Sequence, residues 1–345
     1  MSVTRSFYGN MPDGREVELY SLCDGAYTLQ AITLGATLQA LYAPDKYGRI
    51  NDVTVGFDSL AGHLEHSDYQ GKTVGRYANR IAGGHFFIGD EETTLVRNEK
   101  GLTCLHSAGE FSDAVWDASV TSENSVELSF VSPDGTNGFK GALTAKVRYT
   151  LEGGRVTIDY SAVCDSDTVI NFTNHTYFNL SGSAGSDVLG HVLQINAPYF
   201  TPTDADSIPT GELRPVRGTA FDFTTPHAIG ERINNDDEQL INCKGYDHNF
   251  CLSRKPGEAD VTVYEPVSGR RLSVFTDLPG VQLYTGNFLD SSVHGKGSLP
   301  LVKHAGLCLE TQYYPDTPNH TGFPQCFFAA GEEYRSTTVF ELSIF

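Results

Sequence analysis

Several things are scarce in this 345-residue chain, and each scarcity narrows its chemistry. Lys and Arg total only 24 against 43 Asp and Glu, a formal charge of −19. A polyphosphate backbone repels that balance, which excludes nucleic acid as a partner. An anionic membrane surface is excluded on the same ground. Charged residues of both signs make up just 19% of the chain, too few for many exposed amphipathic helices. No apolar run approaches the roughly 20 residues needed to span a bilayer. The opening MSVTRSFYGNMPDG has no apolar core of the signal-peptide kind.

Patterned cysteine is also missing. Cys23, Cys104, Cys164, Cys243, Cys251, Cys308 and Cys326 are odd in number and scattered, with no C-x-x-C pair. That predicts reduced thiols and a cytoplasmic location, not a disulfide framework or a zinc–cysteine site. The N-x-[ST] sequons at Asn171, Asn174, Asn179 and Asn319 matter only in a secreted protein. Phosphate loops, H-E-x-x-H and the G-x-S-x-G elbow are absent. His63-x-x-His66, with Asp68 nearby, reads as two exposed histidines on a short helix and not as a metal site. With no linker, charge block or fixed repeat, residues 1–345 read as a single domain.

What is abundant is glycine (35), phenylalanine (20) and tyrosine (17). Arg15–Leu22 alternates, 52–56 reads as a short strand, and β-rich or alternating segments recur at Ser125–Val131, Asp260–Pro266, Arg270–Phe275 and Thr337–Phe345. Ala145–Leu151 and Arg155–Val163 flank Gly153-Gly154, a two-residue hairpin signal. Val147, Tyr149 and Leu151 share one face of the first arm, and Val156, Ile158 and Tyr160 one face of the second. Helical signals are confined to Ser59–His66 and Ala228–Leu240, the latter interrupted by Asn-Asn-Asp-Asp at 234–237. The expected fold is all-β, a large antiparallel β-sandwich with a few short helices.

Polar residues inside apolar or glycine-rich stretches mark where chemistry could sit, because buried polar groups need a reason. Gly75–Gly84 carries Arg76, Asn79 and Arg80 among small residues, as a clamp for hydroxyls or a carboxylate, or as an arginine paired at a turn. His106 follows an apolar residue, as a hydrogen-bonded structural histidine or as a site group. In Asn171–Leu180, strand geometry would put Thr173, His175 and Tyr177 on one face, with Asn and Thr groups fixing an imidazole that meets a ligand or is a satisfied core histidine. Asp247 sits in the hydrogen-bonding cluster Tyr246–Phe250, as a site group or as an Asx-turn, and Gly280–Phe288 reads as a strand with Gln282 and Tyr284 on one face. Glu310 follows the apolar Leu307-Cys308-Leu309; it is a partly buried carboxyl with a raised pKa, or the partner of an arginine at a strand end.

In this order, GRYANRIAGG at 75–84, LH at 105–106, NHTYFNLSG at 174–182, YDHNF at 246–250, GVQLYTGNFL at 280–289 and LETQYYPDTPNH at 309–320 resemble the aldose 1-epimerase (galactose mutarotase) family. The resemblance implies the galactose mutarotase-like supersandwich and interconversion of the α- and β-anomers of free hexoses such as galactose and glucose. By motif position it implies His175 as general acid and Glu310 as general base. Asn79, Arg80, His106, Asp247 and Gln282 would hold sugar hydroxyls, with Tyr177 lining the site. No metal or other cofactor is implied, and the partner is a monosaccharide met by a monomer or homodimer. One departure stands out: the family commonly follows Leu-His with two glycines, and here Ser107-Ala108 follow.

The residue types suit this chemistry. Opening the ring needs a base at the C1 hydroxyl and an acid at the ring oxygen, and an imidazole with a carboxyl supplies both near neutral pH. A glycosidase would need two carboxyls across one bond. A hexose-6-phosphate epimerase would need cations for the phosphate. A non-catalytic sugar-binding module would be free to lose His175 or Glu310, and both are present.

Overall fold

The computed structural model describes residues 1–66, 68–183 and 185–345. Its strands pair antiparallel in three principal sheets. Nine strands form the largest, in the order Asp117–Ser122, Ser125–Ser132, Leu143–Glu152, Arg155–Cys164, Glu333–Ile344, Arg270–Thr276, Val261–Tyr264, Val192–Ile195 and His227–Ala228. Seven form the second: Arg214–Pro215, Tyr199–Phe200, Asp247–Cys251, Gly280–Tyr284, Leu307–Gln312, Tyr177–Phe178 and Thr54–Val55. Residues 2–52 supply a meander of five strands.

Local sequence explains the best-formed parts. Leu143–Glu152 pairs with Arg155–Cys164 without a break, from Leu143 opposite Cys164 to Glu152 opposite Arg155. Leu143, Ala145, Val147, Tyr149 and Leu151 alternate inward as expected. Gly153 and Gly154 both have positive φ, 53° and 84°, which a two-residue hairpin turn needs and side chains resist. The C-terminal segment joins the middle of the large sheet: Glu333–Ile344 pairs with Arg155–Cys164 on one side and Arg270–Thr276 on the other.

The sheets share one apolar core. Val147, Ile158, Leu272, Val274 and Phe340 of the nine-stranded sheet pack in the same cluster as Phe178, Phe250, Leu283 and Leu309 of the seven-stranded sheet. Phe178 and Phe340 meet edge to face, ring centroids 5.0 Å apart. The five-stranded meander adds Tyr20, Leu22, Leu29 and Leu41.

Helices are short. Leu60–Glu65 forms as expected, with the Ser59 hydroxyl accepting from the Gly62 N–H as its cap. The expected helix at Ala228–Leu240 divides instead. His227–Ala228 pairs as a strand, residues 229–231 make one tight turn, and only Glu238–Cys243 is α-helical. The carboxylate of Asp237 accepts from the Gln239 N–H and begins that helix. Asparagine and aspartate compete for backbone donors, so the 234–237 run starts a helix better than it continues one. Among the described residues no helix is long and apolar enough to cross a membrane.

His63 differs from expectation as well. It is buried, not exposed, its Nε2 lying 2.7 Å from Gln39 Oε1, and burial pushes its pKa down to about 3. His66 stacks on Phe57.

Because Phe340 bridges the two large sheets, Phe340→Ala is expected to cost about 3–5 kcal/mol of unfolding free energy. Urea denaturation followed by tyrosine fluorescence measures it.

Candidate active site

Three neighbouring strands of the seven-stranded sheet build the floor of the site. Their register sets Asn249 opposite Gln282, and Gln282 opposite Glu310. Three polar side chains therefore line up across strands that are otherwise buried. The Gln282 amide donates to Asp247 Oδ1 at 2.7 Å. Gln312 donates to both Asn249 Oδ1 and Gln282 Oε1, each at 3.2 Å. This chain of amides orients Gln282 and Asp247. Glu310 stands beside it, 2% exposed, with Oε2 lacking any hydrogen-bond partner.

Glu310 faces an imidazole and not an arginine. His175 Nε2 lies 3.7 Å from Glu310 Oε1, too far for a hydrogen bond and close enough for a sugar oxygen to engage both. The backbone delivering His175 is not the continuous strand expected. Thr173–Asn174 pairs with Thr73–Val74, Tyr177–Phe178 pairs with Leu307–Cys308, and His175-Thr176 form the break between them. Asn174 makes that break. Its Oδ1 accepts from the Thr176 N–H and hydroxyl, while its amide donates to Gly71 O. Asn174 and Thr176 thus fix the main chain of His175 and not its ring, whose Nδ1 has no partner.

His106 completes the group from a turn in which His106, Ser107 and Ala108 all have positive φ (52°, 50° and 53°). The Asn79 N–H donates to His106 Nδ1 at 3.1 Å, and the His106 N–H returns to Asn79 O at 3.0 Å. The backbone donor fixes the tautomer, leaving Nε2 of neutral His106 with the proton. Ser107 holds the strained turn by its hydroxyl, which accepts from the Tyr77 N–H at 2.8 Å and donates to Tyr77 O.

The remaining sequence candidates divide. Arg80 reaches the site but is gripped by Glu99, its Nε and Nη2 each 2.8 Å from a carboxylate oxygen. Tyr177 stacks on His175, centroids 5.2 Å apart, while its hydroxyl donates to Asp68 O. Arg76 is a structural residue: fully buried, it donates to Ser132 and to the carbonyls of Ser132, Pro133, Lys140 and Gly141. Of two further aromatic neighbours, the strand pattern points to Tyr284 and not to Tyr69. Tyr69 lies against both imidazoles and Tyr284 presents an edge to His175. Tyr284 sits two residues beyond Gln282 on the same strand face, a period-two signal that points to it. Nothing in the sequence around Tyr69 does so.

Donor atoms of His106, His175 and Glu310 lie within 4.8 Å of one another, a spacing that also invites a metal ion. The His106 tautomer argues against one. With Nδ1 accepting from the backbone, a metal at Nε2 would require the ring to lose both protons.

Burial governs the electrostatics. It pushes His175 down to about 4 and His106 well below its ordinary value. It drives the Glu310 carboxyl well above the carboxylate range, with the Asp247 charge adding to the effect. Burial also raises Asp247, opposed by Arg80 and by the Gln282 hydrogen bond.

A β-sandwich that opposes a desolvated carboxyl to a desolvated imidazole, beside polar groups suited to hydroxyls, has the design of an acid–base isomerase of polyhydroxylated substrates. Comparison narrows this class. The aldose 1-epimerase family profile matches residues 18–341. Galactose mutarotase of Bos taurus is 42% identical over 347 residues, covering 100% of this chain and 99% of that protein. Aldose 1-epimerase of Escherichia coli strain K12 is 36% identical over 96% of both chains. The crystal structure of galactose 1-epimerase from Lactobacillus acidophilus superposes with a TM-score of 0.87 at 28% identity, covering 99% of each chain. The chain belongs to the aldose 1-epimerase family.

Removing the Ser107 hydroxyl leaves two buried backbone groups of Tyr77 without that partner. Ser107→Ala is expected to lower stability by about 1–3 kcal/mol, read by thermal denaturation.

Proposed function

We propose that this protein interconverts the α- and β-anomers of free hexoses, galactose and glucose among them, with His175 and Glu310 exchanging protons with the sugar. The observation carrying the reading is the buried carboxyl–imidazole pair, 3.7 Å apart and without hydrogen-bond partners at Glu310 Oε2 and His175 Nδ1. Glu310 takes the proton of the C1 hydroxyl, and His175 delivers one to ring oxygen O5. The C1–O5 bond breaks, its electron pair staying on O5, while the C1–O1 bond becomes a carbonyl. Rotation about C1–C2 presents the other face of the aldehyde. Reclosure runs the same transfers backwards, so both side chains end as they began.

Asn79, Arg80, His106, Asp247 and Gln282 bind the sugar hydroxyls in this reading. The fixed tautomer makes His106 Nε2–H a donor, and the raised pKa of Asp247 suits a carboxyl that shares protons with hydroxyl groups. Tyr177 acts by packing on His175. A phosphorylated sugar is not favoured, since Arg76 is sealed in the interior and Arg80 is committed to Glu99. The whole chain works as one domain in the cytoplasm, a location supported by seven free cysteines, six of them buried.

Freshly dissolved α-galactose is expected to lose optical rotation faster with the protein than in buffer alone. Glu310→Gln and His175→Asn are each expected to lower kcat by about 10²- to 10⁴-fold while the fold persists, as circular dichroism reports. Near-normal kcat in either variant refutes the assigned role.

The pH profile follows from proton count. The competent pair holds one proton, whether written as carboxylate with imidazolium or as carboxyl with imidazole. Below about 4 the buried His175 becomes protonated while Glu310 is already neutral, and no base remains. Above the raised Glu310 pKa the last proton leaves, and no acid remains. Polarimetric kcat/KM should therefore hold a plateau through neutral pH, falling in acid near pH 4 and not near 6.5.

A further inference from the structure

We propose that Tyr69 is a positioning residue for the reaction: its ring caps His106 and His175, shuts bulk water away from both and holds His175 square to Glu310. This rests on the acid–base reading of His175 given above. Tyr69 is in direct ring contact with each imidazole. Its centroid lies 4.7 Å from that of His106 and 5.8 Å from that of His175, the second ring inclined by only 23°.

The placement of that ring is tied to the main chain of His175. The Lys72 N–H donates to Tyr69 O at 2.9 Å, closing a turn over residues 69–72. Within it the Gly71 N–H donates to His175 O at 3.0 Å, and the His175 N–H donates to Lys72 O at 2.9 Å. One turn therefore grips both backbone groups of His175 and folds its own first side chain over the imidazole. Gly71 has φ 73°, and any side chain there would run into the Leu38 carbonyl, so the turn is seated tightly. Tyr69 itself takes the left-handed conformation, φ 58°, which a tyrosine adopts only when its surroundings enforce it. The Tyr177 hydroxyl holds the preceding residue by donating to Asp68 O at 3.0 Å.

The other groups around His175 are accounted for. His106 comes from the 106–109 turn, Tyr177 from its own strand segment, and Tyr284 and Glu310 from the sheet floor. The half-buried Tyr69 ring lies nearly parallel to His175 and against His106, so its loss opens both imidazoles to water. A wetted imidazole returns toward its ordinary pKa and loses its fixed orientation. The ring carries the function and the hydroxyl does not: Tyr69 Oη makes no hydrogen bond among the described residues.

Tyr69→Phe and Tyr69→Ala separate these contributions. In Tyr69→Phe, kcat should stay within about twofold of the parent protein. In Tyr69→Ala, kcat should fall by about tenfold or more, with KM for galactose little changed. NMR titration of the ¹³C-labelled His175 ring without sugar should show its pKa rising by about one unit or more in the alanine variant alone. A Tyr69→Ala protein with parental kcat and parental His175 titration overturns the proposal, as does a phenylalanine variant as impaired as the alanine one. The titration needs no turnover, so it judges Tyr69 even if Glu310→Gln were to refute the catalytic reading.

Discussion

Everything at the candidate site depends on keeping a carboxyl and an imidazole dry without pairing either one. A carboxylate removed from water ordinarily finds a cation or several N–H donors, and a buried histidine ordinarily finds a carbonyl. Glu310 and His175 have neither arrangement complete. The surrounding structure absorbs the cost. Three strands in fixed register hold Glu310 in a row of polar residues, a broken strand offers His175 from the opposite side, and tyrosine rings fill the space where water would otherwise stand. Both groups are then nearest to neutral when empty, and a hydroxyl entering between them meets partners that have nothing else to bond.

The same economy explains the odd backbone around the pair. Asn79, His106, Ser107, Ala108 and Tyr69 all adopt positive φ. Left-handed backbone is unfavourable for such residues, roughly 1–2 kcal/mol each. It is concentrated where side chains reach the site from turns, as His106 does just after Cys104–Leu105. Hydrogen bonds from the Ser107 hydroxyl and between Asn79 and His106 offset part of this strain.

Much of this was legible in the sequence. Alternation and Gly153-Gly154 defined the central hairpin to within about two residues at each end, because strand burial and turn sterics are local properties. Glu310 stands out as an ionisable residue after an apolar run, which is also a local property, whereas His175, set among amides and hydroxyls, is picked out only by the order of the family's motifs. The 234–237 run marks an interruption in the helical signal over 228–240, but apolar spacing alone does not show that Asp237 caps a new helix there. Tyr69 was invisible for a different reason. Its role comes from a turn that touches His175 more than a hundred positions away, and no periodicity encodes that meeting. Arg76 and Arg80 looked alike in sequence, yet only the second reaches the site; the difference lies in which carbonyls and carboxylates each happens to meet.

The position of Glu333–Ile344 in the middle of the nine-stranded sheet has a consequence for the order of assembly. As the chain leaves the ribosome, Arg155–Cys164 and Arg270–Thr276 both exist long before the strand that must lie between them. Each waits as an open edge, with unpaired backbone groups available to any passing strand. The large sheet can therefore close only once that twelve-residue strand is made, and its contacts span much of the chain. During that interval the nascent protein is most exposed to aggregation, and chaperone capture would matter most.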